Sequence, residues 1–127
     1  MSHDEFLAKY YKIAEFAMKC CEKARREGLL SLEKDLNREK IKERDIFEYG
    51  LSFVIDGYDA EIIEKILSNI IKQEKDEDTI KLKNIQKEAV YMIQQGFNPK
   101  IVSALLNSYT GLTLKEDKLL DDDFYMN

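Results

Sequence analysis

The chain is poor in the residues that build turns and chemical sites. It has 127 residues but only five glycines and one proline, too few for the many turns of an all-β fold. Tryptophan is absent, and His3, close to the N-terminus, is the single histidine. No nucleophile–base pair can be assembled around His3, and lone glycines such as Gly57 and Gly96 do not form a phosphate-binding loop. We therefore expect a protein that is not an enzyme and that needs no cofactor.

Cysteines and long apolar runs are scarce as well. Cys20 and Cys21 are the only cysteines, and neighbours in a helix point about 100° apart, which does not favour a disulfide between them. Two small buried hydrophobic side chains in a reduced, cytoplasmic setting explain them best. The longest apolar run, residues 49–55, is far below the roughly 20 residues that cross a bilayer. The N-terminus also lacks the pattern of a secretory signal, so we expect a cytoplasmic protein without membrane insertion.

Positive charge is not in excess. The chain has 20 Lys and Arg against 25 Asp and Glu, a formal net charge of −5. This balance argues against nucleic acid as a partner, since such proteins normally carry a basic face. The run of acids at residues 121–123 lacks the spacing and the glycine of a calcium loop. We therefore predict no metal site, and an acidic flexible tail over residues 121–127.

The residues that are abundant favour helix. Hydrophobic residues make up 44% of the chain and charged residues 35%, and alanine, leucine, glutamate and lysine are good helix formers. Apolar residues recur at intervals of three and four, the pattern of amphipathic helices. The sequence predicts a single all-α domain over residues 1–120, a compact bundle of about five to seven helices.

Capping residues predict where the helices begin and end. Ser2 is expected to cap the first helix, which ends at a left-handed Gly28, and Ser31 to cap a short second helix. Further helices are expected at about 45–56, 59–71, 79–96, 99–109 and 113–120. Ile62 and Ile101 fall on the apolar faces of two of them. Residues 72–78 contain no glycine or proline, so we favour a continuous or slightly kinked helix there over a break.

An internal repeat predicts two stacked helical hairpins. Residues 51–67 align with residues 90–106 at an offset of 39. Both copies read helix, glycine, aromatic residue, cap, helix; the matched positions are Gly57 with Gly96, Tyr58 with Phe97, and Asp59 with Asn98. An aromatic residue between a glycine cap and the next N-cap can pack into the corner and fix the angle between the helices. The second hairpin is expected over residues 80–111.

Two stretches resemble a known family. ARREGLLSLE (residues 24–33) and, further on, GLSFVIDGYDAEIIEKIL (residues 50–67) are similar, in order and spacing, to the cytoplasmic, rotor-facing region of the flagellar stator protein MotA. The resemblance covers about residues 20–72. The family has four membrane-spanning helices, and this sequence has none. The resemblance therefore implies a cytoplasmic motility protein without an ion channel.

The resemblance also implies a partner and a binding site. In the family, an arginine and a glutamate eight residues apart meet the rotor protein FliG, and the matching residues here are Arg25 and Glu33. Arg26 lies beside them. Exposed ion pairs contribute only about 0.2–1 kcal/mol, so exposed apolar side chains, Leu29 and Leu30, are expected to supply the buried area. The helix dipole alone also favours an arginine at a helix end and a glutamate in a first turn, so a purely structural role for these charges stays open.

A second interpretation needs no motor. Many isoleucines and leucines lie on amphipathic helices in this small chain, and an apolar face could remain for a second copy. The alternative to a rotor-binding protein is therefore a self-associating helical scaffold or adaptor.

Overall fold

The bundle is all-α, as predicted. The computed structural model describes residues 1–41 and 45–111, and no strand occurs within these ranges. The five α-helices are α1 (His3–Glu27), α2 (Ile46–Ile55), α3 (Ala60–Ile71), α4 (Glu77–Gln95) and α5 (Pro99–Ser108). Two 3-10 segments, η1 (Leu29–Asp35) and η2 (Arg38–Lys40), connect α1 to α2. The predicted last helix and acidic tail lie outside the described residues.

Helix α4 is the central element, in contact with each of the other four α-helices. Its residues Ile85, Ala89 and Met92 are fully buried. Helix α1 also packs against α5 and η1, and α2 packs against α3. The predicted hairpins are α2–α3 and α4–α5, and they meet along α4.

The start of α1 is as predicted, but its end is not. The Ser2 hydroxyl accepts a hydrogen bond from the Glu5 N–H. Gly28 has φ 92° and ψ 160°, so it is not the left-handed helical cap that we expected. This combination of angles is open almost only to glycine, and it turns the chain directly into η1.

Ser31 does not cap the second helix. Segment η1 begins two residues earlier, at Leu29, and Gly28 occupies its cap position. The Ser31 hydroxyl instead donates to the Gly28 carbonyl oxygen at 2.6 Å, inside the segment. The prediction failed because a serine hydroxyl can donate to a carbonyl oxygen earlier in the chain as readily as it accepts from an N–H later in the chain.

The favoured continuous helix over residues 72–78 is also wrong. Helix α3 ends at Ile71, and α4 begins at Glu77 with Asp76 as its N-cap. The Asp76 carboxylate accepts hydrogen bonds from the N–H and the hydroxyl of Thr79, at 2.9 and 2.7 Å. A strong cap at Asp76 therefore starts a new helix without any glycine or proline before it.

The two corners of the repeat have the same backbone geometry. In each, the N–H of the glycine donates three residues back and the N–H of the aromatic residue donates five residues back. The bonds run from Gly57 to Val54 and from Tyr58 to Phe53, then from Gly96 to Ile93 and from Phe97 to Met92, at 3.1–3.2 Å. This is the Schellman pattern, which satisfies carbonyls at a helix end. The N-caps differ, because Asn98 Oδ1 accepts from the Lys100 N–H whereas the Asp59 side chain makes no cap bond.

The apolar faces of α3 and α5 are narrower than predicted. Ile62 is 44% exposed and Ile101 is 53% exposed, although both were expected to be buried. Their neighbours Ile63 and Val102, also predicted on these faces, are buried. Neighbouring helical residues point about 100° apart, and each helix covers only one side. The two exposed isoleucines occupy equivalent positions in the repeat.

Close packing at Gly50 predicts a stability effect. A Cβ added there would lie 2.9 Å from Val90 Cγ2, 3.1 Å from Val90 Cγ1 and 3.0 Å from Leu67 Cδ1. Rotation of Val90 cannot clear both of its methyl groups, so the overpacking outweighs the better helix propensity of alanine. We expect Gly50→Ala to lower the free energy of unfolding by about 1–2 kcal/mol, measured by urea denaturation.

Val90→Ala removes both clashing methyl groups. The double variant Gly50→Ala/Val90→Ala should therefore lose less stability than the sum of the two single variants. Additive losses would contradict the close contact between α2 and α4.

Candidate functional site

The 3-10 geometry of η1 arranges its side chains in three rows, of which Ser31 and Lys34 form one. A 3-10 helix has three residues per turn, so residues i and i+3 lie on the same face. Leu29, Leu32 and Asp35 form the inner row: Leu32 is fully buried and Leu29 is partly buried against the core. Leu30 and Glu33 form the outer row. Leu30 is 73% exposed, the highest value among the large hydrophobic residues described.

The inner row fastens η1 to α1. Asp35 Oδ2 lies 2.9 Å from Lys23 Nζ of α1, and both side chains are partly exposed. The buried Leu32 provides the larger share of the attachment, since burying a leucine is worth about 1.5–3 kcal/mol and an exposed ion pair far less. The outer row lies about 120° around the axis from this attached row, and its residues Leu30 and Glu33 are exposed.

Arg38 joins the outer row to the corner between α2 and α3. Its guanidinium donates to both carboxylate oxygens of Glu33, at 2.7 and 2.8 Å. It also donates to both oxygens of Asp56, at 2.8 and 3.2 Å. Asp56 is the C-cap of α2. We call Glu33, Arg38 and Asp56 the charged triad; it carries one net negative charge.

The triad changes the titration of Glu33. The hydrogen bond from Arg38 holds the pKa of the Glu33 carboxyl below its ordinary value, although Asp56 acts in the opposite direction. A carboxyl whose pKa is lowered on folding stabilises the folded state at pH values above its unfolded pKa. This contribution is lost as the pH falls through the lowered pKa, so it is present in full near neutral pH.

The predicted site residues have different surroundings. Arg25 is exposed at the end of α1, and no hydrogen bond or ion pair joins it to another residue in the described part of the chain. Arg26 is 64% exposed at its side chain and pairs with its neighbour Glu27 at 3.3 Å. Leu30 is exposed as expected, whereas Leu29 is only partly exposed, because it lies on the inner row of η1. The contribution of both leucines to binding stays a prediction.

Arg38 and Asp56 were missed by the sequence analysis. Arg38 lies in the charged connection after η1, and Asp56 immediately precedes Gly57 in the second family-like stretch. The contact between them spans 18 residues, and no periodic pattern predicts it. Only the fold brings the two together.

Both cysteines are buried and free, as predicted. Burial raises the pKa of the Cys20 thiol to about 12, with a smaller contribution from Asp35. Burial also raises the pKa of the Cys21 thiol, whose Sγ donates to the Phe97 carbonyl oxygen at 3.0 Å. Because the thiolate is the reactive form, neither cysteine is suited to nucleophilic chemistry.

A second surface feature is an apolar groove of about 230 Å³ between α3 and α4. Ile63, Leu67 and Val90 line it, and Lys87 pairs with Glu64 at 3.0 Å along it. Among the residues described, no group of three or more His, Cys, Asp or Glu side chains is placed to hold a metal ion.

Comparison of the chain with protein-family models, curated proteins and solved structures finds no match. Over residues 1–41 and 45–111, no helix is both long and apolar enough to span a bilayer.

The burial of the two thiols gives a direct test of the α1 packing. In the native protein at pH 8, we expect Cys20 and Cys21 to react with a thiol reagent more than about tenfold more slowly than a free cysteine. In denaturant, both should react at the ordinary rate. The absorbance of the thiolate that the reagent releases follows the reaction. Fast labelling of native Cys20 would contradict its position in the core.

Proposed function

We propose that this chain is a non-catalytic, cytoplasmic MotA-like protein that binds a flagellar rotor protein such as FliG through η1 and the charged residues around it. The binding surface in this proposal consists of Arg25, Arg26, Leu30 and Glu33, with the partly buried Leu29 beside them. In this proposal the chain is an accessory or regulatory protein of the motor.

One observation carries the proposal: the two family-like stretches meet at the charged triad. Glu33 belongs to the first stretch and Asp56 to the second, and the four hydrogen bonds of Arg38 join them. The stretches are separated by 16 residues in the chain. The contact between the two stretches supports a single shared surface. Two unrelated similarities would not need to lie side by side.

The exposure of η1 supports the same proposal. Leu30 is 73% exposed, flanked in sequence by two exposed arginines on one side and by Glu33 on the other. Protein interfaces combine an apolar centre, which supplies buried area, with a polar rim, where complementary charges set orientation.

The charges predict a test with a matched control. We expect the double reversal Arg25→Glu/Glu33→Lys to weaken binding to the C-terminal part of FliG at least about tenfold, measured by isothermal titration calorimetry. The reversal Glu61→Lys/Lys65→Glu on α3 also preserves net charge, and it should leave the affinity nearly unchanged. Undiminished binding by the first variant would remove the proposed interface, and no binding by the wild type would remove the proposed function.

The exposed leucine predicts a second effect. Leu30→Ala should weaken the same complex by about tenfold, because the leucine becomes buried only in the complex. The stability of the free protein should change little. Ile101→Ala on α5 is the matched control, since Ile101 is 53% exposed. Equal effects of the two variants on affinity would contradict a specific role for Leu30.

A self-associating scaffold is the second candidate function. Besides Met1 at the N-terminus, four large side chains away from η1 are exposed by 42–54%: Tyr58, Ile62, Tyr91 and Ile101. Tyr91 lines the groove between α3 and α4, and Gln94, which also lines it, donates to the Tyr58 carbonyl oxygen. Light scattering at high protein concentration separates the candidates, since a strict monomer would exclude the scaffold.

A further inference from the structure

Arg38 has no role in the similarity to MotA, yet its contacts control the outer row of η1. Its guanidinium has five N–H donors in a rigid plane. The four hydrogen bonds to Glu33 and Asp56 use almost all of these donors. Arg38 therefore has little capacity left to bind a partner itself.

We propose that Arg38 is a positioning residue, which holds the Glu33 carboxylate on the same face of η1 as Leu30, ready to accept a cationic side chain of the partner. The identity of the partner rests on the proposed function; the fixed position of Glu33 does not.

Glu33 keeps acceptor capacity while it is held. An ionised carboxylate has about four lone-pair sites, and Arg38 uses one on each oxygen. The Glu33 side chain is also 49% exposed, so a second cation can approach from solvent. A partner arginine or lysine can therefore bind without breaking the internal pair.

Holding the carboxylate reduces the cost of binding. A free glutamate side chain loses conformational entropy when a partner fixes it, and this loss weakens the complex. In this chain the same loss has already occurred on folding. The Asp56 contact extends the restraint to the corner between α2 and α3, so Glu33 is tied to two parts of the bundle.

The rival role for Arg38 is that of a competitor. Arg38 neutralises one of the two carboxylates in the charged triad, so its removal would raise the local negative charge from one to two. If attraction to the partner depended on that charge alone, removal of Arg38 would strengthen binding. The two roles predict changes of opposite sign.

The experiment uses two variants of Arg38. Arg38→Gln removes the charge, and Arg38→Lys keeps the charge but replaces the planar guanidinium with an ammonium group. Lys40→Gln is the matched control, because Lys40 lies in the same segment and is exposed. Both sites are on the surface, and circular dichroism checks that each of the three variants folds.

The first measurement needs no partner. A pH titration followed by carbon-13 NMR of the Glu33 carboxyl should give a pKa that rises toward the ordinary glutamate value in Arg38→Gln. In Lys40→Gln it should stay low. An unchanged pKa in Arg38→Gln would overturn the inference and leave the proposed function standing.

The second measurement is the affinity for the C-terminal part of FliG. Arg38→Gln should weaken binding about two- to fivefold, the range of exposed ion-pair effects, and Lys40→Gln by less than about twofold. Arg38→Lys should recover part of the loss. Tighter binding of Arg38→Gln, or a loss equal to that of Lys40→Gln, would overturn the positioning role. No binding by the wild-type chain would overturn the proposed function and the partner half of this inference together.

Discussion

The outer surface of the connection between α1 and α2 depends on the three-residue period of η1. Because residues three apart share a face, the burial of Leu32 determines where Leu30 and Glu33 lie. Gly28 starts this arrangement, since its φ of 92° with ψ of 160° ends α1 and begins η1 within one residue. An α-helix in place of η1 would put Leu30 and Glu33 about 60° apart around the axis and shift both relative to the core.

The charged triad extends this local geometry to the rest of the bundle. Arg38 connects Glu33 on η1 to Asp56 at the end of α2. Each ion pair is exposed and therefore weak by itself, but the bidentate contacts orient the carboxylates. The apolar core around α4 holds the fold together. The triad determines where the Glu33 carboxylate lies on the surface. Stability thus rests on residues other than those that shape this surface.

Most of the fold could be predicted from the sequence because its causes are local. Ser2, Asn98 with Pro99, and Gly96 mark helix ends through hydrogen bonds to adjacent residues, and the repeat is visible in the sequence because both corners use the same backbone pattern. The sequence-based predictions failed where two local preferences compete or where the interacting residues lie far apart in the sequence. Asp76 caps a new helix although no glycine or proline precedes it in residues 72–78. The contact between Arg38 and Asp56 joins residues 18 apart in the sequence and follows from no periodic pattern. Leu29 and Leu30 could not be distinguished because the choice between them depends on 3-10 or α geometry.

The orientation of the outer row is tested most directly by methyl NMR with a soluble paramagnetic agent. In the free protein, the Leu30 methyl signals should broaden strongly and the Leu32 methyl signals should not. On addition of the C-terminal part of FliG, the broadening of Leu30 should fall while Leu32 stays unaffected. Equal protection of both leucines in the free protein, or a Leu30 signal that stays equally broadened at saturating partner, would contradict this account.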